Sequence, residues 1–181
     1  MTTTQVFVLG ALAALALVGA GASAAPPPLG APAVLGSDKT TIQKLHDGDQ
    51  LEIQMGKLAE DKGSTRQTRD HGRRLVTDHT AAERKLEGYL RKRGVDLSAL
   101  APMAGNDADH ELLATKSGLE FDRAFFQQVI RDHRVAIELL ESARVETADD
   151  VLRLFYDELL TTENAHKRAA EELLAASARG S

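Results

Sequence analysis

From Ser37 onward, apolar residues return every three or four positions in four long stretches, the period of an α-helix that buries one face. Ser37 or Asp38 can cap a first helix, which runs to about Lys62 and stops at Gly63. Ser64 and Gln67 have the spacing of a capping box opening a second helix, which ends in Arg91-Lys92-Arg93 before Gly94. Val95 to Asn106 contains Pro102 and Gly105 and reads as a connection long enough to travel along a bundle. A short helix is expected from Asn106 or Asp107 to about Lys116, then a break at Ser117-Gly118-Leu119-Glu120, a second capping-box pattern. The third long helix should reach about Val145, and Thr147 with Asp150 should cap a fourth, which fades near Arg179-Gly180. The pattern predicts an all-α four-helix bundle with a long middle connection and a short extra helix before the third long one.

Certain ionisable residues interrupt the apolar stripes. At about 100° per residue, Glu52 falls among Leu45, Leu51, Met55 and Ala59, and His79 among Leu75, Ala82, Leu86 and Leu90. His133 lies between Val129 and Ala136 with Leu140, while Glu163 and His166 share a helix face with Leu159, Ala170 and Leu173. Burying such groups costs several kcal/mol unless they are paired, hydrogen-bonded or bound to a metal. No mid-helix Lys or Arg occupies these stripes, so a metal, a shared proton or water must compensate. Counting about 1.5 Å per residue from the turns puts all five groups roughly 18 to 28 Å along their helices, which allows one shared middle layer.

Glu163-x-x-His166 is the i, i+3 spacing with which di-iron bundles bring a carboxylate and an imidazole to one metal pair. Glu83, one turn after His79, is a reserve ligand. The candidate set is therefore Glu52, His79, Glu83, His133, Glu163 and His166, for iron, manganese, zinc or copper. The rival is a metal-free envelope protein, a binding or structural module in which the same residues form a buried hydrogen-bond network. Asp122 lies too far along its helix from His133 to share an ion and is expected to bond the backbone near the Gly118 break. Asp78 and Asp132 read as rim residues, and His46, His71 and His110 as solvated ones.

Composition narrows the function. The 181 residues leave room for one domain, and the net charge of -5 provides no basic stripe for nucleic acid. The absence of cysteine removes thiolate ligands, disulfides and catalytic thiols. There is no Ser-His-Asp arrangement and no phosphate-binding glycine loop, so no catalytic motif is legible. Val6 to Ala25 carries no charge and ends in Ala22-Ser23-Ala24, the small-x-small pattern of signal-peptide cleavage. Residues 1–25 are expected to be a signal, 26–37 a Pro/Gly/Ala spacer and 38–178 the bundle, giving a periplasmic or secreted protein without stable membrane insertion after cleavage. An uncleaved N-terminal anchor is the alternative.

Leu51 to Ala59, Leu75 to Thr80, Gly118 to Phe125 and His133 with Ala136 together resemble exported bacterial proteins of domain-of-unknown-function family 4142. The resemblance covers roughly Asp38 to Leu174 and implies a ferritin-like fold and export, but no activity. Ferritin-type di-iron sites take Glu from two helices and Glu-x-x-His from the other two. This chain has one such motif and places His133 where a carboxylate belongs, which speaks against iron oxidation and for a mixed histidine and carboxylate site.

Overall fold

The computed structural model describes residues 36–97 and 107–179. Five helices follow one another: α1 (Gly36–Lys62), α2 (Arg66–Arg91), α3 (Asp107–Ala114), α4 (Gly118–Glu146) and α5 (Asp150–Arg179). α1 with α2 and α4 with α5 form two antiparallel hairpins that associate into a four-helix bundle, and the short α3 lies against α4. Gly36 and Ser37, assigned from sequence to the spacer, belong to the first turn of α1. The expected signal segment, the remainder of the spacer and most of the middle connection lie outside the described residues. No described helix is long and apolar enough to cross a membrane.

Within the first hairpin, Gly56 and Gly72 set the distance between helices. A Cβ on Gly56 would come within 2.7 Å of the Gly72 carbonyl oxygen, and one on Gly72 within 2.5 Å of the Gly56 oxygen. Only hydrogen at both positions lets the backbones approach this closely.

The helix ends correct the capping expected from sequence. At α2 the N-cap is Thr65, whose side chain accepts from the Thr68 amide, and not Ser64. Ser64 is drawn away because its backbone N–H and hydroxyl both donate to Asp122, at 2.9 and 2.7 Å. Asp122 also accepts from the Thr65 amide, so it bonds the α1–α2 turn and not, as expected, the backbone beside Gly118. The break before α4 stands where expected, with Gly118 at φ +59°, in the left-handed region that glycine favours. Ser117 makes no side-chain cap bond, however, and Glu120 is taken by Lys116 at 2.6 Å, so no capping box forms. At α5 the cap is Asp149, and not the expected Thr147 with Asp150, and its Oδ1 accepts from the Val151 and Leu152 amides.

Asp122 and Asp149 are thus latches of the same kind at opposite ends of the bundle. The first ties α4 to the turn of the α1–α2 hairpin. The second ties the α4–α5 turn to α2, accepting from the Tyr89 hydroxyl at 2.9 Å and from Arg93, both largely buried.

Apolar side chains gather in two clusters, not one. Ile42, Leu86, Leu140, Leu152 and Tyr156 anchor the cluster at the Asp149 end. Met55, Leu75, Phe121, Phe125 and Ala170 anchor the cluster at the Asp122 end. The ionisable layer lies between them.

Asp149→Ala removes a helix cap and leaves Arg93 buried without its partner, so urea denaturation should show a loss of about 2 kcal/mol. Ser117→Ala, which removes no cap bond, should stay within about 0.5 kcal/mol of wild type. Equal losses for the two variants would contradict this assignment of caps.

Candidate metal centre

α2, α4 and α5 each bring one histidine to the middle of the bundle, and α1 and α5 each bring a glutamate. The helical period that turns Leu75, Val129 and Ala170 inward turns His79, His133 and His166 inward at the same height, so the polar layer follows from the apolar pattern. His79, His133 and His166 are nearly inaccessible, at 3, 0 and 1 % exposure. Each offers one nitrogen to a group whose members lie within 4.8 Å of one another.

A carboxylate stands behind every ring. The His79 Nδ1–H donates to Asp49 Oδ1 at 2.7 Å, which leaves Nε2 buried with no hydrogen-bond partner. His166 Nε2–H donates to Asp78 Oδ2 at 2.8 Å, which turns Nδ1 inward. His133 Nδ1 lies 3.3 Å from Glu52 Oε1, and its Nε2 faces both His166 Nδ1 at 3.2 Å and Glu163 Oε2 at 3.3 Å. The second oxygen of Glu52 is buried and unpartnered. Such outer carboxylates fix the tautomer and orientation of imidazoles that ligate metals.

The spacing fits an ion. Bonds of about 2.0–2.2 Å at a tetrahedral angle put neighbouring ligand atoms about 3.3–3.6 Å apart, and angles nearer 90° put them about 2.9 Å apart. The distances around His133 Nε2, 3.2 and 3.3 Å, fall within that span. Three imidazoles and one carboxylate are nitrogen and oxygen donors suited to copper or zinc.

Protonation differs sharply between the rings. Burial opposes the charge on His79, but the bond to Asp49 and the charges of Glu52 and Glu163 outweigh it and hold its pKa up at about 9. Burial raises the pKa of Asp49 to about 6 against the pull of His79, so near neutral pH the two form an ion pair. Burial likewise opposes the charge on His133, yet its pKa is raised by Glu52 and Glu163; that of Glu52 is lowered, its own burial being outweighed by His133. Glu163 is raised, chiefly by burial. His166 is pushed down to about 4 by burial, despite Asp78. The layer therefore joins two rings whose protonated form is favoured, His79 and His133, to one whose neutral form is favoured, His166.

Of the six candidates read from sequence, the structure brings Glu52, His79, His133, Glu163 and His166 together. Glu83 is turned away, accepting from His46 Nδ1 at 2.7 Å and Gln50 Nε2 at 3.0 Å. His46 is accordingly half-buried and paired, not solvated. His71, also expected in solvent, is buried edge-on against Phe125, Phe126 and His166, and burial pushes its pKa down to about 4. His110 is half-buried with Asp132 3.9 Å away. Asp78 sits at the rim, as expected, but orients His166 from across the bundle.

Asp49 was missed. It lies one turn before Glu52, so Asp49-x-x-Glu52 on α1 is the signal that could have revealed it.

Comparisons with known proteins agree with this fold. A crystal structure of a DUF305 fragment from Deinococcus radiodurans is similar with a TM-score of 0.73 at 15% identity, over 80% of this chain and 99% of that one. CopM in its Cu(II)-bound form is similar with a TM-score of 0.66 at 19% identity, over 76% of this chain and 95% of that one. Both are ferritin-like helical folds. No curated protein matches the chain significantly. The model of a domain of unknown function, DUF4142, matches residues 23–173, most of the sequence and every one of the layer's residues, and the chain belongs to that family.

Proposed function

We propose that this protein is an exported metal-binding bundle that holds one transition-metal ion, copper(II) first and zinc(II) second, at the middle layer. The observation that carries this reading is the convergence of three buried imidazoles, each backed by its own carboxylate, on one point beside Glu163. His79 Nε2, His133 Nε2, His166 Nδ1 and Glu163 are the ligands, and Asp49, Asp78 and Glu52 orient the rings. Copper is put first because imidazole donors and the divalent affinity order favour it, and because the similarly folded CopM has a Cu(II)-bound form. A bound copper(II) supplies a strongly Lewis-acidic cation enclosed away from solvent. The chain's own groups hold that cation and exchange their protons for it.

A second reading has its own support. The raised pKa of His133 and the lowered one of His166 favour a His133 Nε2–H that donates to His166 Nδ1 at 3.2 Å, so these two rings are joined without an ion. The chain is then a metal-free structural or binding module of the envelope.

Titrating the chelator-treated protein with copper(II) separates the two. One ion per chain is expected, and at a free concentration about a hundredfold above Kd the Tm should rise on the order of 5–10 °C. His133→Ala and His166→Ala should abolish the rise with helical content kept, while Glu83→Gln should retain it. A Tm indifferent to copper, zinc, iron and manganese alike leaves the metal-free network standing.

Ligation requires neutral imidazole, so the ion must displace the protons held on His79 and His133. Because the pKa of His79 is raised to about 9, metal affinity should climb with pH through neutrality and level off near that value. Calorimetry in two buffers of different ionisation enthalpy should detect proton release at pH 7; zero release would contradict this set of ligands.

Export rests on the uncharged run before Ala22-Ser23-Ala24. Intact-mass measurement of natively expressed protein should give a mature chain starting near Ala25 or Pro26, whereas full-length protein held in membranes would replace cleavage with an anchor.

A further inference from the structure

A centre this enclosed needs a path to solvent, and two cavities approach it from opposite sides. Both lie in the seams between the two hairpins. One, of about 430 Å³, runs between α1 and α4, and the other, of about 180 Å³, between α2 and α5. His79 and Glu163 line both.

We propose that the α1–α4 cavity is the route by which a divalent cation reaches the layer, with His110 and Asp132 as its outer pair of ligands. This rests on the metal reading above. Burial grades along the cavity, from exposed Lys44 and Val135, through half-buried His110 and Asp132, to buried Asp49 and Glu52. Glu52 is more than nine-tenths buried, and its Oε2 has no hydrogen-bond partner. It gives an arriving cation an acceptor that no donor among the described residues occupies.

Size and charge distinguish the two seams. The α1–α4 cavity, at about 430 Å³, is more than twice as large as the α2–α5 cleft, at about 180 Å³, and leaves more room for a hydrated ion. The α2–α5 cleft is also bridged by the Lys85–Glu158 ion pair at 2.6 Å, which puts an ammonium group in the path of a cation. In the α1–α4 cavity the one lysine, Lys44, is exposed at the rim, and Asp132 stands outside the His79–Asp49 ion pair as an oxygen donor on the path inward.

The outer pair has suitable geometry. His110 Nε2 and Asp132 Oδ2 are 3.9 Å apart, too far for a hydrogen bond but within reach of one ion bound at about 2.1 Å to each. Gln128 Nε2 donates to both oxygens of Asp132, at 2.8 and 2.9 Å, and holds the carboxylate at the cavity wall.

Stopped-flow uptake of copper(II) alone by the full chain tests the route. His110→Ala and Ala136→Phe, the latter filling the cavity from α4, should each slow uptake on the order of tenfold. Stoichiometry and equilibrium affinity should be unchanged, because a blocked path slows release as much as uptake. Thr162→Phe, which fills the α2–α5 cleft, should leave the rate as in wild type. If Ala136→Phe fails to fold by circular dichroism, His110→Ala, made at a half-buried position on the peripheral α3, decides alone. Wild-type rates in the His110 and Ala136 variants, or slowing confined to Thr162→Phe, overturn the route while leaving the metal centre intact. A wild-type chain that takes up no copper removes both.

Discussion

A layer of ionisable groups divides the interior of this bundle, and the rest of the structure accommodates it. Glu52, His79, His133, Glu163 and His166 are all at least nine-tenths buried, between two apolar clusters that do not merge. Left unpaired, each charge would cost several kcal/mol. The cost is contained by local pairing. Asp49 neutralises His79, Glu52 faces His133, and Glu163 is shifted toward its neutral form. His166 and His71 stay uncharged because burial depresses both. The result is a layer that is close to electrically balanced without a lysine or arginine inside it.

Division of the core also explains why the ends of the bundle are so firmly tied. Neither apolar cluster spans the full length, so each must hold its own end, and each is reinforced by an aspartate, buried Asp122 or half-buried Asp149, that crosses from one hairpin to the other. Asp122 satisfies the amides of the α1–α2 turn, and Asp149 satisfies the first turn of α5 while pairing with Arg93. In both cases the acid is held below its ordinary pKa, because the bonds it accepts outweigh the effect of its own burial. Between these fixed ends the Gly56 and Gly72 contact keeps α1 and α2 close enough for Asp49 to reach His79.

The four long helices, the short α3 and the break at Gly118 were legible from sequence because they depend on apolar period and on glycine. The middle layer was legible for the same reason, since face and height follow from counting residues along a helix. What escaped depended on partners distant in sequence. Ser64 looked like a cap, but Asp122, 58 residues away, claims it. His71 looked solvated, but Phe125 and Phe126 of α4 cover it. Glu83 was on the correct face to join His79, yet a closer partner, His46, engages it from α1. Local pattern determines which way a side chain points; which neighbour it meets depends on how the hairpins dock.

The inward-facing groups are shared unevenly between the hairpins. His133, Glu163 and His166 belong to α4–α5, whereas the α1–α2 hairpin contributes His79 and the carboxylates that orient the rings. Contacts within a hairpin are near in sequence and form early in folding, while docking one hairpin on the other must close the long middle connection. A folding α4–α5 hairpin thus carries most of the candidate metal-binding groups before the bundle exists. An ion caught there would bias His79 toward its place and make docking of the first hairpin the step that seals it in, so that metal capture and completion of the fold become one event.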